Sequence, residues 1–397
     1  MRPIVKRQEP TSLLVFDKYF MLSVLALVII GLVMVMSASM AISERQFGQP
    51  FYYLFRQSIY ILLGVGVTFL IVRIRTEIWF NHSGWILLLS ILLLVLVMVP
   101  GIGHVVNGSR RWIGFSIFRL QVSEFAKIAF ILYLGSYLVR HQEEVRADIG
   151  GFIKPLILLG VMGVLLLLEP DFGAAVVITV TVFAMLFLGG ARLWQFILLL
   201  ALAVMAFVFL AISSPYRMSR LTTFLNPWAH QFNSGYQLTQ SLIAFGRGGI
   251  FGVGLGSSIQ KLFYLPEAHT DFLFAVLGEE IGLVGMLSVL FLYVVLVVRI
   301  LWIGRRAQLV GQPIAGYVAY GVGIWIGIQA LVNMGVNAGL FPTKGLTLPL
   351  ISYGGSSMLI IFAALAIVLR IDYETRVSTN NAKSPKPKKY SRARYGF

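Results

Sequence analysis

Hydrophobic and polar positions alternate along this chain in long blocks, not in short periods. Ten apolar runs stand out, at roughly 19–40, 58–72, 85–100, 120–139, 154–168, 172–189, 193–212, 271–299, 315–340 and 349–371. A hydrocarbon core about 30 Å thick takes roughly 20 apolar residues per helical crossing. Each run therefore predicts a membrane-spanning helix, and the shorter ones extend into their flanks or tilt. Glu169-Pro170-Asp171 breaks a nearly continuous apolar stretch. Proline cannot continue a helix and two acids are costly in lipid, so a tight turn is expected there. The pattern predicts an all-α polytopic membrane protein of about ten transmembrane helices. Residues 1–18 form an N-terminal segment, 19–371 the membrane domain with a long loop at 213–270, and 372–397 a basic, disordered tail. Ser37-Ala38-Ser39 could end a cleaved leader, but the first run is too long for one and reads as an uncleaved anchor.

Composition agrees. The chain has 397 residues, 58% hydrophobic and 12% charged, against roughly a quarter charged in soluble proteins. It has no cysteine, which excludes disulfides and thiolate metal sites. The five histidines, His82, His104, His141, His230 and His269, form no His-x-x-x-His pair, which argues against a histidine-rich zinc site. The net charge of +16 does not point to nucleic acid. Much of the excess lies in the tail Lys383–Arg394, which suits anionic lipid headgroups or simply fixes topology.

Of the 32 Lys and Arg, 21 fall on the side that holds both termini, 10 on the other side, and Lys127 inside a span. The positive-inside rule then puts both ends in the cytoplasm. Ten basic residues still lie outside, including Arg110, Arg111 and Arg119 in one short loop and Arg217, Arg220, Arg247 and Lys261 in the long one. Orientation does not explain them, and they suit an anion at the outer face.

The loop 213–270 is long enough to carry function. Arg217 and Arg220 are three apart, on one face if helical. Asn233–Phe245 mixes apolar residues with Gln237, Gln240 and Ser241, a pattern for a helix lying in the interface. Gly246–Gly256 carries Gly-x-Gly patterns without the βαβ unit of a dinucleotide fold. It reads as backbone that approaches something closely, as a hinge or a phosphate cradle. The loop ends in Glu267, His269, Thr270 and Asp271, where a long apolar helix starts. An acid at that boundary is expensive and so suggests function. Thr270 or Asp271 also suits the helix N-cap, and the two roles are compatible.

Polar residues recur inside the spans. Gln121, Glu124 and Lys127 lie in the fourth, with Glu124 and Lys127 spaced to neutralise each other. Glu279 and Glu280 lie roughly 12 Å below Asp271 by helical rise. Gln329, Asn333 and Asn337 form one stripe, and the tenth run opens with Ser352-Tyr353-Gly354-Gly355-Ser356-Ser357. Such groups can glue helices together. As a set, with Glu169, Asp171 and Gln240, they are expected to line a cavity open to the outer side.

Several of these segments resemble one known family. Arg110-Arg111-Trp112, Glu169-Pro170-Asp171, Phe224-Leu225-Asn226-Pro227, Leu265–Asp271 with Leu277-Gly278-Glu279-Glu280, and Phe341–Pro349 followed by Ser352–Ser357 are similar to the SEDS family (shape, elongation, division and sporulation). The match spans all ten runs. Ala268 and Thr343–Thr347 resemble its cell-division branch more than its elongation branch. The resemblance implies a peptidoglycan glycosyltransferase that polymerises lipid II at the outer face of the bacterial cytoplasmic membrane, at the septum. It implies the catalytic acid at Asp271. It implies a class B penicillin-binding transpeptidase and other divisome membrane proteins as partners.

The chemistry fits the residues. A sugar hydroxyl attacking an anomeric carbon needs a base, and an aspartate at a partly desolvated boundary can serve. Arginine forks suit departing pyrophosphate. Arg110, Arg111, Arg217, Arg220, Lys261 and Lys344 are the candidate cations, with Glu267, His269, Ser352, Tyr353 and Ser356 around them. A divalent cation, Mg or Mn, would assist, although no ligand cluster demands one. Two alternatives stay open at this point: a lipid flippase or transporter, which would depend on charges deep in the bundle, and a non-catalytic scaffold for a transpeptidase.

Overall fold

A computed structural model of the chain describes residues 16–106, 109–115, 118–212, 224–342 and 345–383. These residues form thirteen α-helices and one small sheet. The helices are α1 (Lys18–Phe47), α2 (Tyr52–Arg73), α3 (Thr76–Asn81), α4 (Ser83–Met98), α5 (Val122–Arg140), α6 (Gln142–Ala147), α7 (Ile149–Leu168), α8 (Phe172–Leu188) and α9 (Leu193–Ile212), then α10 (Tyr236–Gly248), α11 (Leu273–Leu309), α12 (Pro313–Asn337) and α13 (Gly355–Lys383). The ten apolar runs correspond one to one with α1, α2, α4, α5, α7, α8, α9, α11, α12 and α13. Seven of these are long and apolar enough to cross a membrane, and α4 and α8 are shorter apolar helices.

Helix ends follow local chemistry. Asp17 caps α1 by accepting from the Phe20 amide, and Gly48 ends it in the left-handed region at φ 67°, where glycine has no steric penalty. Asp171 caps α8 by accepting from the Ala174 amide.

The bundle is built around α12, which packs on α11, α5 and α8. Its small residues let neighbours approach, as expected where apolar solvent supplies no hydrophobic drive. A Cβ at Gly321 would meet Met185 Sδ at 2.6 Å and Ile131 Cγ2 at 2.7 Å. At the opposite end of the bundle from Asp271, Arg299, Arg306 and Arg376 converge on Asp17 and Asp372. Asp372 is fully buried and accepts from Arg306 at 2.9 Å. Residue 372, where a tail was expected to begin, lies inside α13, which runs on to Lys383 and is held at Asp372 and Arg376 by these ion pairs.

Three elements depart from the sequence expectations. The short loop carrying Arg110, Arg111 and Arg119 is an antiparallel sheet, β1 (Gly103–Val106), β2 (Ser109–Phe115) and β3 (Phe118–Gln121), in the order β1-β2-β3. Its register pairs Gly103 with Ile113 and Ile113 with Leu120. The expected interfacial helix is α10, but it packs on α11 and α12, with Leu238 and Ala244 buried. Finally, α11 is broken at Gly282 (φ 75°, ψ −165°). The glycine-rich segment closes that break. Leu283 and Val284 amides donate to the Gly249 and Ile250 carbonyls, and Val253 and Gly254 amides donate to Glu279 and Glu280 carbonyls, all at 3.0–3.1 Å. Backbone groups freed by a break must be satisfied inside lipid, and here a loop satisfies them. A Cβ at Gly252 would sit 2.2 Å from the Glu280 carbonyl oxygen, so only glycine fits.

Candidate active site

Asp271 lies two residues before α11, at the end of a run of tight turns. Its backbone is held from α12. Asn333 and Asn337 both donate their side-chain amides to the Asp271 carbonyl, at 2.9 and 3.0 Å. Asn337 Oδ1 also accepts from the Ala275 amide at 3.1 Å, capping the first turn of α11 from a neighbouring helix. The N-cap residue itself, Phe272, contributes no side-chain bond. The capping duty that Asp271 could have carried is thus supplied by Asn337. Among the described residues, no hydrogen bond reaches the Asp271 carboxylate, which is partly exposed. Gly345 forms its close wall: a Cβ there would lie 3.0 Å from Asp271 Oδ2.

Desolvation raises the Asp271 pKa, and the nearby Glu267 raises it further. The Arg111 guanidinium opposes the shift, Asp171 adds to it, and the result is a value of about 7. The group is therefore poised between acid and base near neutrality.

Arg111 projects from β2 onto the turn between α7 and α8. Its Nε donates to the Glu169 carbonyl at 2.9 Å and Nη2 to the Pro170 carbonyl at 2.5 Å. Asp171 Oδ2 accepts from Ser123 Oγ at 2.8 Å and from Gln121 Nε2 at 3.3 Å. Glu169 is 2% exposed, and neither of its carboxylate oxygens has a partner among the described residues. Burial pushes its pKa up to about 8, with Asp171 adding to the shift and Arg111 opposing it.

A cavity of about 210 Å³ opens beside this region, lined by Arg56, Tyr60, Trp112, Arg119, Tyr353, Gly355 and Ser356. Tyr353 links it to the Asp271 loop. Its amide donates to the His269 carbonyl at 3.0 Å, and the His269 ring packs against both Tyr53 and Tyr353, with centroids at 4.5 and 5.7 Å. Burial lowers the His269 pKa against the opposing pull of Glu267, which favours a neutral imidazole.

The structure brings Arg111, Glu169, Asp171, Glu267, His269, Tyr353 and Ser356 to this end of the bundle, around Asp271. Arg110 lies close by, but its Nη1 donates to the Met98 carbonyl at 3.0 Å. Ser352 Oγ is used within its own turn, accepting from the Leu348 amide at 3.0 Å. Gln240 is half-buried on α10. Asn333 and Asn337 are not on a cavity wall. They are 2% and 0% exposed and act as struts.

Other predicted residues lie away from the site. Lys261 Nζ contacts Glu280 Oε1 at 2.7 Å and Ser37 Oγ at 2.9 Å. Glu279 is enclosed by Arg247 at 3.0 Å, by Ser258 and by the Ile259 and Gln260 amides at 3.1 and 3.3 Å. Glu124 and Lys127 form a buried pair at 2.7 Å, 4% and 1% exposed in their side chains. Arg217, Arg220 and Lys344 fall outside the described residues. Among the described residues no three His, Asp or Glu side chains converge on a metal site.

Sequence reasoning did not single out Arg56 and Tyr60, named Trp112 only within a motif, and grouped Arg119 with the outer cations suited to an anion. Arg56 follows Tyr52 by one helical turn at the outer end of α2. That was a legible signal, hidden by the apolar run behind it.

Comparison with known proteins gives a consistent result. The profile of the FtsW/RodA/SpoVE family, described as cell cycle protein, matches residues 17–377. A Coxiella burnetii protein described as a probable peptidoglycan glycosyltransferase FtsW is 58% identical over 360 residues, 91% of this chain and 97% of that protein. A Legionella pneumophila protein of the same description is 55% identical over 380 residues, 95% of this chain and 96% of its own. Among solved structures, a chain of a peptidoglycan synthase complex, described as coordinating polymerization and crosslinking, superposes with a TM-score of 0.76. It is 29% identical and covers 91% of this chain and 98% of that one. The Thermus thermophilus rod shape determining protein RodA superposes with a TM-score of 0.66 at 28% identity, covering 90% and 96%.

Proposed function

This chain belongs to the SEDS family of cell-cycle proteins typified by FtsW, RodA and SpoVE, and from that premise we propose that it is an integral inner-membrane peptidoglycan glycosyltransferase of cell division. Its substrate is lipid II, and it adds disaccharide units to a growing glycan strand at the outer face, at the septum, with both termini cytoplasmic. The relatives described as FtsW, at 47–58% identity, support the division reading over the elongation one. The observation that carries the chemistry is the Asp271 carboxylate. It has no hydrogen-bond partner among the described residues, and two asparagines fix its backbone.

In the proposed reaction Asp271 takes the proton from the acceptor sugar's 4-hydroxyl. That oxygen bonds to the donor's anomeric carbon as the bond from that carbon to the lipid pyrophosphate breaks. Inversion of the α-linked donor gives a β-1,4 linkage. The electron pair leaves on the pyrophosphate, whose charge Arg111, Arg56 and Arg119 are placed to offset. A divalent cation, Mg or Mn, would add positive charge to offset the leaving pyrophosphate. The transpeptidase partner is a class B penicillin-binding protein, working alongside other divisome membrane proteins. A transporter would need charges open to a path through the bundle. The buried Glu124–Lys127 pair and the enclosed Glu279 offer none.

The test is polymerisation of purified lipid II by the full chain with its transpeptidase. The base must be ionised, so the rate should climb as pH rises through about 7, following Asp271. Stability should run the other way. Asp271 and Glu169 bind protons more tightly when folded than unfolded, so stability falls as pH rises from near 4 toward 7–8. A rate that is flat between pH 5 and 8 would remove Asp271 as the base.

A second expectation concerns the strut. Asn337→Ala removes a donor from the Asp271 carbonyl and the cap from the Ala275 amide. We expect stability to fall by about 1–3 kcal/mol and turnover by roughly tenfold to a hundredfold, because small misplacements of a reacting group are costly. KM for lipid II should change far less than kcat. Equal losses in both would make Asn337 a substrate contact instead.

A further inference from the structure

A second cavity, of about 400 Å³, lies at the end of the bundle opposite Asp271, within the roughly 300–1,000 Å³ typical of ligand sites. It is formed where α6, the last residue of α8, the end of α11 and the first turns of α12 meet. In the orientation proposed above this is the cytoplasmic face. Its lining includes Arg146, Gln142, Gln308, Tyr317 and Tyr320, with Leu188 at its apolar edge, and no carboxylate.

Two features of this lining point to a ligand. The Arg146 guanidinium forms no ion pair or side-chain hydrogen bond among the described residues, and its backbone is tied to the neighbouring turn. The Arg146 carbonyl accepts from Arg192 Nε at 3.1 Å, and its Nε lies close over Gly190, where a Cβ would approach to 2.8 Å. Tyr317 is 6% exposed, lines the cavity, and its hydroxyl has no hydrogen-bond partner among the described residues. The ring is packed into the bundle while the hydroxyl stays open to the cavity, where a hydrogen-bonding ligand can reach it. Beside it, the Tyr320 hydroxyl donates to Gln308 Oε1 at 3.3 Å. The cavity also touches Pro313, the first residue of α12, which brings the positive end of that helix dipole.

We propose that this cavity binds a phosphate-bearing headgroup, with Arg146 pairing the phosphate and Tyr317 donating its hydroxyl. An unpaired guanidinium, an unpartnered hydroxyl and a helix N-terminus, with no acid among them, match phosphate oxygens. The source is either an inner-leaflet phospholipid or a soluble phosphate ester, and the two are separable.

The experiment uses the full chain in detergent, comparing wild type with Arg146→Gln and Tyr317→Phe. Native mass spectrometry measures retention of phosphatidylglycerol, with diacylglycerol as the phosphate-free control. Calorimetry measures glycerol phosphate. Arg146 is exposed and Tyr317→Phe keeps the ring, so both variants should melt with wild type. The expected result is that phosphatidylglycerol is retained in preference to diacylglycerol and that Arg146→Gln weakens retention about tenfold or more, the loss of one charge-assisted bond. Tyr317→Phe should weaken it less. Binding of glycerol phosphate that Arg146→Gln abolishes would assign the site to soluble esters; binding only of the acylated form assigns it to lipid. Equal retention of phosphatidylglycerol by wild type and Arg146→Gln, or diacylglycerol retained as strongly, overturns the proposal. Polymerisation activity is not the readout, so the outcome is independent of the assignment of Asp271.

Discussion

Asp271→Asn should reduce lipid II polymerisation by at least 10²- to 10⁴-fold, the contribution expected of a positioned general base. The substitution keeps the shape of the side chain and removes its basicity. The protein should still fold, for two reasons. The backbone struts from Asn333 and Asn337 reach the Asp271 carbonyl, not its carboxylate. The first turn of α11 is capped by Asn337. Replacing a partly desolvated acid with a pKa near 7 by a neutral amide should, if anything, raise stability above neutral pH, where the native acid is ionised. Loss of activity with an unchanged or higher melting temperature is the combined result to look for. Near-normal glycan strands from the Asn variant would end the base assignment, and a collapse in stability would make the loss uninformative. Asp271→Glu separates these cases, since it keeps the charge but moves it by one methylene, and should retain only a small fraction of the rate.

The second large effect is on stability. Lys127 is 1% exposed. Its ammonium donates to Glu124 Oε1 at 2.7 Å and Gln329 Oε1 at 2.6 Å and sits 5.0 Å from the Trp325 ring centre. Lys127→Ala leaves the Glu124 carboxylate buried with no counter-charge and opens a void beside Trp325. The expected cost is about 3–5 kcal/mol, as for other buried pairs that lose one partner. Glu124→Gln combined with Lys127→Met should cost much less, because no charge is then stranded. Thermal melting in detergent distinguishes these. A single variant as stable as wild type would mean that water or an ion reaches Glu124, which would reopen the case for a path through the bundle.

Particular residues show how far the sequence could be read. Lys127 and Glu124 were paired correctly from their spacing alone, because neighbours three apart on a helix must face each other. Asn333 and Asn337 were seen as one polar stripe for the same reason. That the stripe braces the Asp271 carbonyl was not readable, because it depends on which helix faces α12. Lys261 and Arg111 were equivalent candidates in sequence, both basic and both in outer loops. Folding separates them: Lys261 is drawn to Glu280 at the break in α11, while Arg111 is placed by β2 over the turn that carries Glu169 and Asp171. The sheet itself was missed because its strands are only 4, 7 and 4 residues long and lie between two dominant apolar runs.

Ten apolar helices, their order and the boundary position of Asp271 were set by the chain alone, since the cost of placing polar groups in hydrocarbon is a local property of each segment. Which cations meet the acid, which amides hold its backbone and which glycine loop repairs the break at Gly282 were settled only by folding. Those contacts join residues far apart in the chain, and their energies exist only once helices have chosen their neighbours.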